Sequence, residues 1–194
     1  MLMINNNIYW YVLFVRTGSE ERVVKMLKRD LSGDEFSPFI PKKECIFRRQ
    51  GKKSIFQKIC FPSYVFIETS KTVEDFLTYI FPIIYRIKDA YRFLSYNDDR
   101  FDIAMREDER RALDVVLGDN RCIDISAGFK EGDSVRVISG ALAGCESEIV
   151  SINKNRKDAV ISMNVFGNQK KVSVGLDIIE NLAGGVEAIC LNSA

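Results

Sequence analysis

The sequence predicts an α+β protein in two parts, a ferredoxin-like α/β sandwich followed by a small antiparallel β-barrel. Three observations carry that expectation. Strand-like and helix-like apolar patterns alternate through the N-terminal half, turn signals crowd together from Gly132 onward with no room for a helix, and a stretch of little periodicity at residues 120–128 separates the two regimes.

The elements follow in order. Ile8–Val15 (IYWYVLFV) is an unbroken β-branched and aromatic run, as expected of a strand buried on both faces. Thr17-Gly-Ser-Glu20 fits a capping box with Thr17 at the N-cap and Glu20 at N3, so a helix is expected next. Val23, Val24, Leu27 and Leu31 form its core stripe, Arg22, Lys25 and Arg29 lie on another face, and Gly33 is the stop. Glu44–Arg49 and Ser54–Ile59 flank Gln50-Gly51 and read as a β-hairpin. Tyr64–Glu68 reads as a strand, Thr72–Ile80 as a helix with Phe76, Leu77 and Ile80 inward, and Ile83–Ile87 as a further strand. Residues 105–117 make a last amphipathic helix on Leu113, Val116 and Leu117. The resulting order, strand, helix, hairpin, strand, helix, strand, is that of a split βαβ sandwich.

Beyond the linker, Val135–Val137, Glu148–Val150, Val160–Val165 and Lys171–Val174 are short strands punctuated by turns, which argues a small barrel. Residues 1–119 are therefore assigned to the first domain, 120–128 to a linker, 129–180 to the barrel and 181–194 to a flexible Gly- and Ala-rich tail.

The chain of 194 residues has no histidine, which removes the Ser-His and Cys-His dyads, a histidine general base and a histidine corner of a zinc site. No catalytic residues, metal or cofactor are expected, and binding is expected in place of catalysis. Cys45, Cys60, Cys122, Cys145 and Cys190 are an odd set without a CxxC pair, which suits reduced thiols and a cytoplasmic protein. The most apolar run, Tyr9–Val15, is far short of the roughly 20 residues of a membrane span. Asp98, Asp99, Asp102, Glu107, Asp108 and Glu109 could in principle hold magnesium, but a charged loop capping a helix whose N-terminus favours acids is by far the preferred reading.

The formal charge of +1 is an average over unlike regions. Lys42, Lys43, Arg48, Arg49, Lys52, Lys53 and Lys58 stand against Glu44 alone, a local charge of +6 over 17 residues. Such a cluster at a hairpin tip can reach phosphates, and it can equally guard edge strands from aggregation. The cations of the first helix, with Arg16 in the turn before it, form a second basic face. Phe61, Tyr64 and Phe66 lead an aromatic-rich stretch, most of it expected in the core, the rest available as a groove for a partner's helices.

Trp10-Tyr-Val-Leu, Thr17-Gly-Ser-Glu20, Phe61-Pro-Ser-Tyr-Val-Phe-Ile-Glu68 after a basic hairpin, Gly132-Asp-Ser-Val-Arg-Val-Ile-Ser-Gly140 and Val165-Phe-Gly167 together resemble the NusG family of transcription elongation factors. The resemblance implies an N-terminal NGN domain of ferredoxin-like type and an SH3-like KOW barrel. It implies that Phe61, Tyr64, Phe66 and Ile84 dock on the clamp helices of RNA polymerase, and that Arg16 and Arg29 lie near the displaced DNA strand. It further implies a KOW domain that contacts a ribosomal protein, Rho or nucleic acid. Ser63 stands where housekeeping members usually have Gly, Glu146-Ser147 replaces their Asn-Gly turn, and the Thr-rich loop of the RfaH branch has no counterpart in Lys71–Ile80. With the basic hairpin, these departures resemble the LoaP branch, whose members are processive antiterminators that recognise a leader RNA. The nucleic-acid candidates are then Arg16, Lys25, Arg29, Arg48, Arg49, Lys52 and Lys53, with Arg136, Lys170 and Lys171 on the barrel. The expected protein is a monomer without membrane contact, and a general family member coupling polymerase to the ribosome or Rho is the alternative.

Overall fold

The computed structural model describes residues 8–179 apart from 32, 34, 50–51, 132–133 and 154. The expected tail, the hairpin turn at Gln50-Gly51 and the turn at Gly132 lie outside the described residues. In chain order the elements are β1 (Tyr9–Val15), α1 (Glu20–Asp30), β2 (Phe36–Phe39), β3 (Lys42–Arg49), β4 (Lys52–Ile59), β5 (Tyr64–Thr69), α2 (Val73–Ile84), β6 (Ala90–Phe93), α3 (Glu107–Leu117), β7 (Cys122–Ile123), β8 (Ser126–Glu131), β9 (Ser134–Ser139), a 3₁₀ turn at Glu146–Glu148, β10 (Ile149–Asn153), β11 (Asp158–Val165) and β12 (Asn168–Ile179).

The N-terminal sheet has strand order β2-β5-β1-β6 with antiparallel neighbours throughout, the ferredoxin-like arrangement. Its alternation is strict. Tyr11, Leu13 and Val15 face α1 and α2, where Val23, Leu27, Phe76 and Ile80 complete one core. Tyr11 stacks on Phe76 at 3.7 Å and donates its hydroxyl to the Lys71 carbonyl at 2.9 Å, and burial first, then Tyr9 and Asp75, raises its phenol well above the usual range.

Three expectations are corrected here. The second strand of the sheet is Phe36–Phe39, not the hairpin, and Pro38 is tolerated because β2 is an edge. The hairpin β3–β4 joins β7 in a separate sheet through the parallel pairs Lys42↔Cys122 and Lys43↔Ile123. Ile83–Ile87 is not a strand: α2 runs through Pro82 to Ile84, and the last strand of the sheet is Ala90–Phe93. An interior proline costs a helix about 3 kcal/mol. Ile80 and Ile83 of α2 are both buried, and each is worth roughly 1.5–3 kcal/mol, so burial offsets the break.

The helix start also differs. Ser19, not Thr17, is the N-cap of α1, and no side chain caps it. Glu20 is 2% exposed and accepts the Ser63 N–H at 2.7 Å, while Thr17 Oγ1 lies 2.7 Å from Ser63 Oγ. The residues of the expected capping box are thus spent on the β4–β5 turn.

The C-terminal sheet is curled into a barrel-like unit with order β10-β11-β12-β8-β9, antiparallel except for β12–β8, which is parallel. Residues 120–128, expected as a linker, hold β7 and the start of β8. Ser126 is fully buried and its Oγ accepts the Leu142 N–H at 2.9 Å. Gly140, at φ +90°, passes so close that a Cβ would lie 2.5 Å from the Ile125 carbonyl oxygen and the Ser126 Cα, so no other residue fits.

Candidate functional site

The face of the N-terminal sheet away from α1 and α2 carries Trp10, Val12 and Phe14 of β1, with Tyr64 opposite Phe14 and Phe66 opposite Val12. Phe66 is fully buried and lies edge-on to Trp10 at 5.9 Å, tilted against Phe39 at 5.5 Å and Phe61 at 6.0 Å. Phe61 is also buried. Tyr64 is half-buried and continues outward through Phe14, 6.0 Å away, to the exposed Tyr91, 5.6 Å beyond. Ile84 belongs to the other core, under α2, because the segment expected as a strand is helix. The structure therefore brings Phe61, Tyr64 and Phe66 together and leaves Ile84 apart, and the reachable aromatic surface is Phe14, Tyr64 and Tyr91.

This face is covered by α3 and the barrel. Leu113, Val116 and Leu117 join Trp10 and Phe66 in one core with Val165 and Phe166 of the barrel. The Arg121 guanidinium lies 5.0 Å from the Trp10 ring centroid and 4.9 Å from that of Phe39, and it bonds Glu68 at 2.6 Å and Asp114. Glu68 also accepts the Trp10 indole N–H at 2.7 Å.

Glu109, read from sequence as part of an acidic helix start, is buried and fastens α3 to the barrel. Its carboxylate accepts the Phe166 and Gly167 N–H groups, both at 2.8 Å, and the Tyr96 hydroxyl at 2.7 Å. Phe166 and Gly167 both have positive φ, as a two-residue hairpin loop between β11 and β12 demands. Burial first, then the Glu109 partner, raises the Tyr96 phenol well above the usual range. The neighbouring acids have other duties: Asp99 accepts the Phe101 N–H, Asp102 pairs with Arg106 and Glu107 with Arg111. Among the described residues no group of three His, Cys, Asp or Glu is placed to hold a metal ion.

The basic candidates fall in three places. In the hairpin, the register sets Arg49 opposite Lys52, Arg48 opposite Lys53, and Lys43 opposite Lys58. On α1, Lys25 and Arg29 are exposed, but Arg29 binds Asp30 at 2.6 Å, a bond that holds the Asp30 carboxyl below its usual range. Arg16 lines a cleft of about 620 Å³ with Arg22, Arg86, Lys88 and Tyr91, and Arg22 pairs there with Asp89. The expected strand Ile83–Ile87 gives no reason to group Arg86 and Lys88 with Arg16; the end of α2 and the turn after it bring them together.

On the barrel, Arg136 is exposed on the edge strand β9, Lys171 is exposed on β12, and the Lys170 ammonium sits 5.9 Å from the Tyr64 ring centroid. The barrel residues that flank the basic hairpin are instead Asn155–Asp158 and Ser173–Gly175. Arg156 and Lys157 were missed because nothing in their local sequence says which end of the barrel meets the hairpin.

Residues 8–113 match the family described as NusG, transcription termination factor nusG. The transcription termination/antitermination protein NusG of Thermus thermophilus is 27% identical over 177 residues, covering 87% of this chain and 95% of that protein. The protein of the same name from Treponema pallidum is 26% identical over 182 residues, covering 89% and 98%. A solved structure described as "Domain interaction in Thermotoga maritima NusG" is similar at a TM-score of 0.49 and 21% identity, covering 87% of this chain and 94% of that one.

Proposed function

The chain belongs to the NusG family of transcription termination/antitermination factors, and from that premise we propose that it binds elongating RNA polymerase and suppresses pausing or termination on a few operons whose leader RNA it recognises. It acts by binding, as a rigid bridge that favours the polymerase state to which it binds more tightly. The aromatic outcrop of Tyr64, with Phe14 and Tyr91, is the polymerase-facing surface, and Phe61 and Phe66 support it from below. The basic hairpin is the RNA-facing element.

One observation carries the RNA assignment. Three like-charged pairs stand directly opposite one another in the hairpin, and such cross-strand pairs are destabilising. By strand alternation Arg49–Lys52 and Lys43–Lys58 fall on one face of the hairpin and Arg48–Lys53 on the other, and a polyanion relieves the repulsion within such pairs.

The test is co-purification with polymerase together with sequencing of the bound RNA. Tyr64→Ala lowers polymerase retention without loss of the circular dichroism signal, and Arg49→Glu with Lys52→Glu abolishes enrichment of the leader. Unchanged retention and an even spread of RNAs refute the proposal. A general family member is the second reading, favoured by the near-complete coverage of the NusG proteins of Thermus and Treponema, and occupancy of all transcribed operons decides for it.

A further inference from the structure

Between the basic hairpin and the barrel lies a cleft of about 550 Å³. One wall is a single face of the hairpin. Lys43, Phe47, Phe56 and Lys58 line it, with Lys43 opposite Lys58 and Phe47 a diagonal neighbour of Phe56 in the register. The other wall is the turn before β11, with Arg156 and Lys157. The walls are fastened at the base, where Lys43 Nζ donates to the Ser173 carbonyl at 2.6 Å and the Ile125 N–H donates to Glu44 at 3.2 Å.

The lining is unusual for a solvated surface. Phe47 is 53% and Phe56 38% exposed, and the Lys58 ammonium sits 5.1 Å from the Phe56 ring centroid. Exposed rings interleaved with cations are the surface on which unpaired bases stack while their phosphates are neutralised. Arg156 is tied to Asp158 at 3.3 Å, with three-quarters of its side chain exposed. The Asp158 carboxylate is taken up by Arg156 and by the Ser173 hydroxyl at 2.9 Å, and Asn155 adds an acceptor that a ribose 2′-hydroxyl can use and deoxyribose cannot.

The geometry points to this cleft as a seat for an unpaired RNA strand, its bases on Phe47 and Phe56 and its phosphates on Lys58 and Arg156. The inference rests on the nucleic-acid reading of the hairpin and goes beyond it: the ligand touches both parts of the chain, so binding also tightens the contact between hairpin and barrel. An acidic polypeptide would meet the same cations but would have no use for two exposed phenyl faces.

The experiment uses the full chain and a fluorescein-labelled oligouridylate of about ten nucleotides, with affinity read by anisotropy across a salt series. Phe47→Ala and Phe56→Ala each weaken binding about ten-fold, and the corresponding Trp variants keep it. Arg156→Ala flattens the slope of log affinity against log salt by about 0.7. Both phenylalanines are exposed, so the fold survives their loss, and Arg156, on the other wall, tests the site independently. Alanine variants that bind within about two-fold of the parent overturn the inference, as does equal binding of oligothymidylate or displacement by polyglutamate with indifference to the phenylalanines. Polymerase co-purification of the same variants separates the two proposals: the cleft can fail while polymerase binding stands, and the reverse.

Discussion

Glu109 on α3 accepts the backbone N–H of Phe166, 57 residues away in the barrel, at 2.8 Å. It accepts Gly167 and Tyr96 as well, so one buried carboxylate ties three groups at the junction. Hydrogen bonds to a charged group are worth about 1.5–3 kcal/mol each, and a donor left buried and unpaired costs a similar amount. Glu109→Ala therefore loosens the barrel from α3 by about 3 kcal/mol. Limited proteolysis and small-angle scattering detect the separation, and Glu109→Gln, which keeps one acceptor, is intermediate. Because Lys170 sits over Tyr64, the proposed polymerase-facing surface predicts that the loosened protein, with more of its aromatic face exposed, is retained better by polymerase. Unchanged proteolysis would show that the core contacts alone hold the junction.

Ser63 adopts φ +71°, a region that costs a residue with a Cβ about 1–2 kcal/mol and glycine almost nothing. Its hydroxyl recovers part of that through Thr17 in an exposed contact. Ser63→Gly is expected to stabilise the fold by about 0.5–1 kcal/mol, read as a higher denaturation midpoint, and Ser63→Val to destabilise it. A lower midpoint for the glycine variant would mean that the Thr17 contact outweighs the strain.

Arg121 binds Glu68 and Asp114 while its guanidinium carbon lies about 5 Å from the ring centroids of both Trp10 and Phe39. Lysine keeps the charge and loses the fork and the flat face. Arg121→Lys should cost about 1–2 kcal/mol and shift the emission of Trp10, the single tryptophan of the chain. An unchanged spectrum and midpoint would assign the site no more than surface charge.

Burial pushes the Cys60 thiol up to about 12 and the Cys122 thiol up to about 11. Both thiols stay protonated and unreactive toward alkylation in the native protein and react once it is denatured. The folded values lie above the ordinary value of 9.0, so the stability these groups contribute is complete below about pH 9 and is lost as pH rises toward the folded values. A denaturation midpoint that falls between pH 9 and pH 12, and less steeply in Cys60→Ala, checks the sign.

Several features were legible in the residues themselves. The IYWYVLFV run gave β1, the periodicity of Val23, Leu27 and Leu31 gave α1, and the basic run gave the hairpin. Local pattern failed where tertiary burial overrode it. The helix expected over Thr72–Ile80 runs on through Pro82 to Ile84, where Ile80 and Ile83 are buried, and the four residues of β2, with a proline among them, were too short to signal anything.

By itself, then, the sequence determined the classes: no histidine and hence no imidazole chemistry, an α+β chain, a dense cationic hairpin and an aromatic stretch. Tertiary structure alone decided the partnerships. It buried Phe66, separated Ile84 from the aromatic surface, turned Glu109 from a helix-start acid into a clamp and set Arg156 across a cleft from Phe47. The physical reason is that composition and periodicity are local. A contact such as Glu109 to Phe166 depends on how two sheets pack, and that is fixed only when long-range burial outweighs the entropy of closing the chain between them.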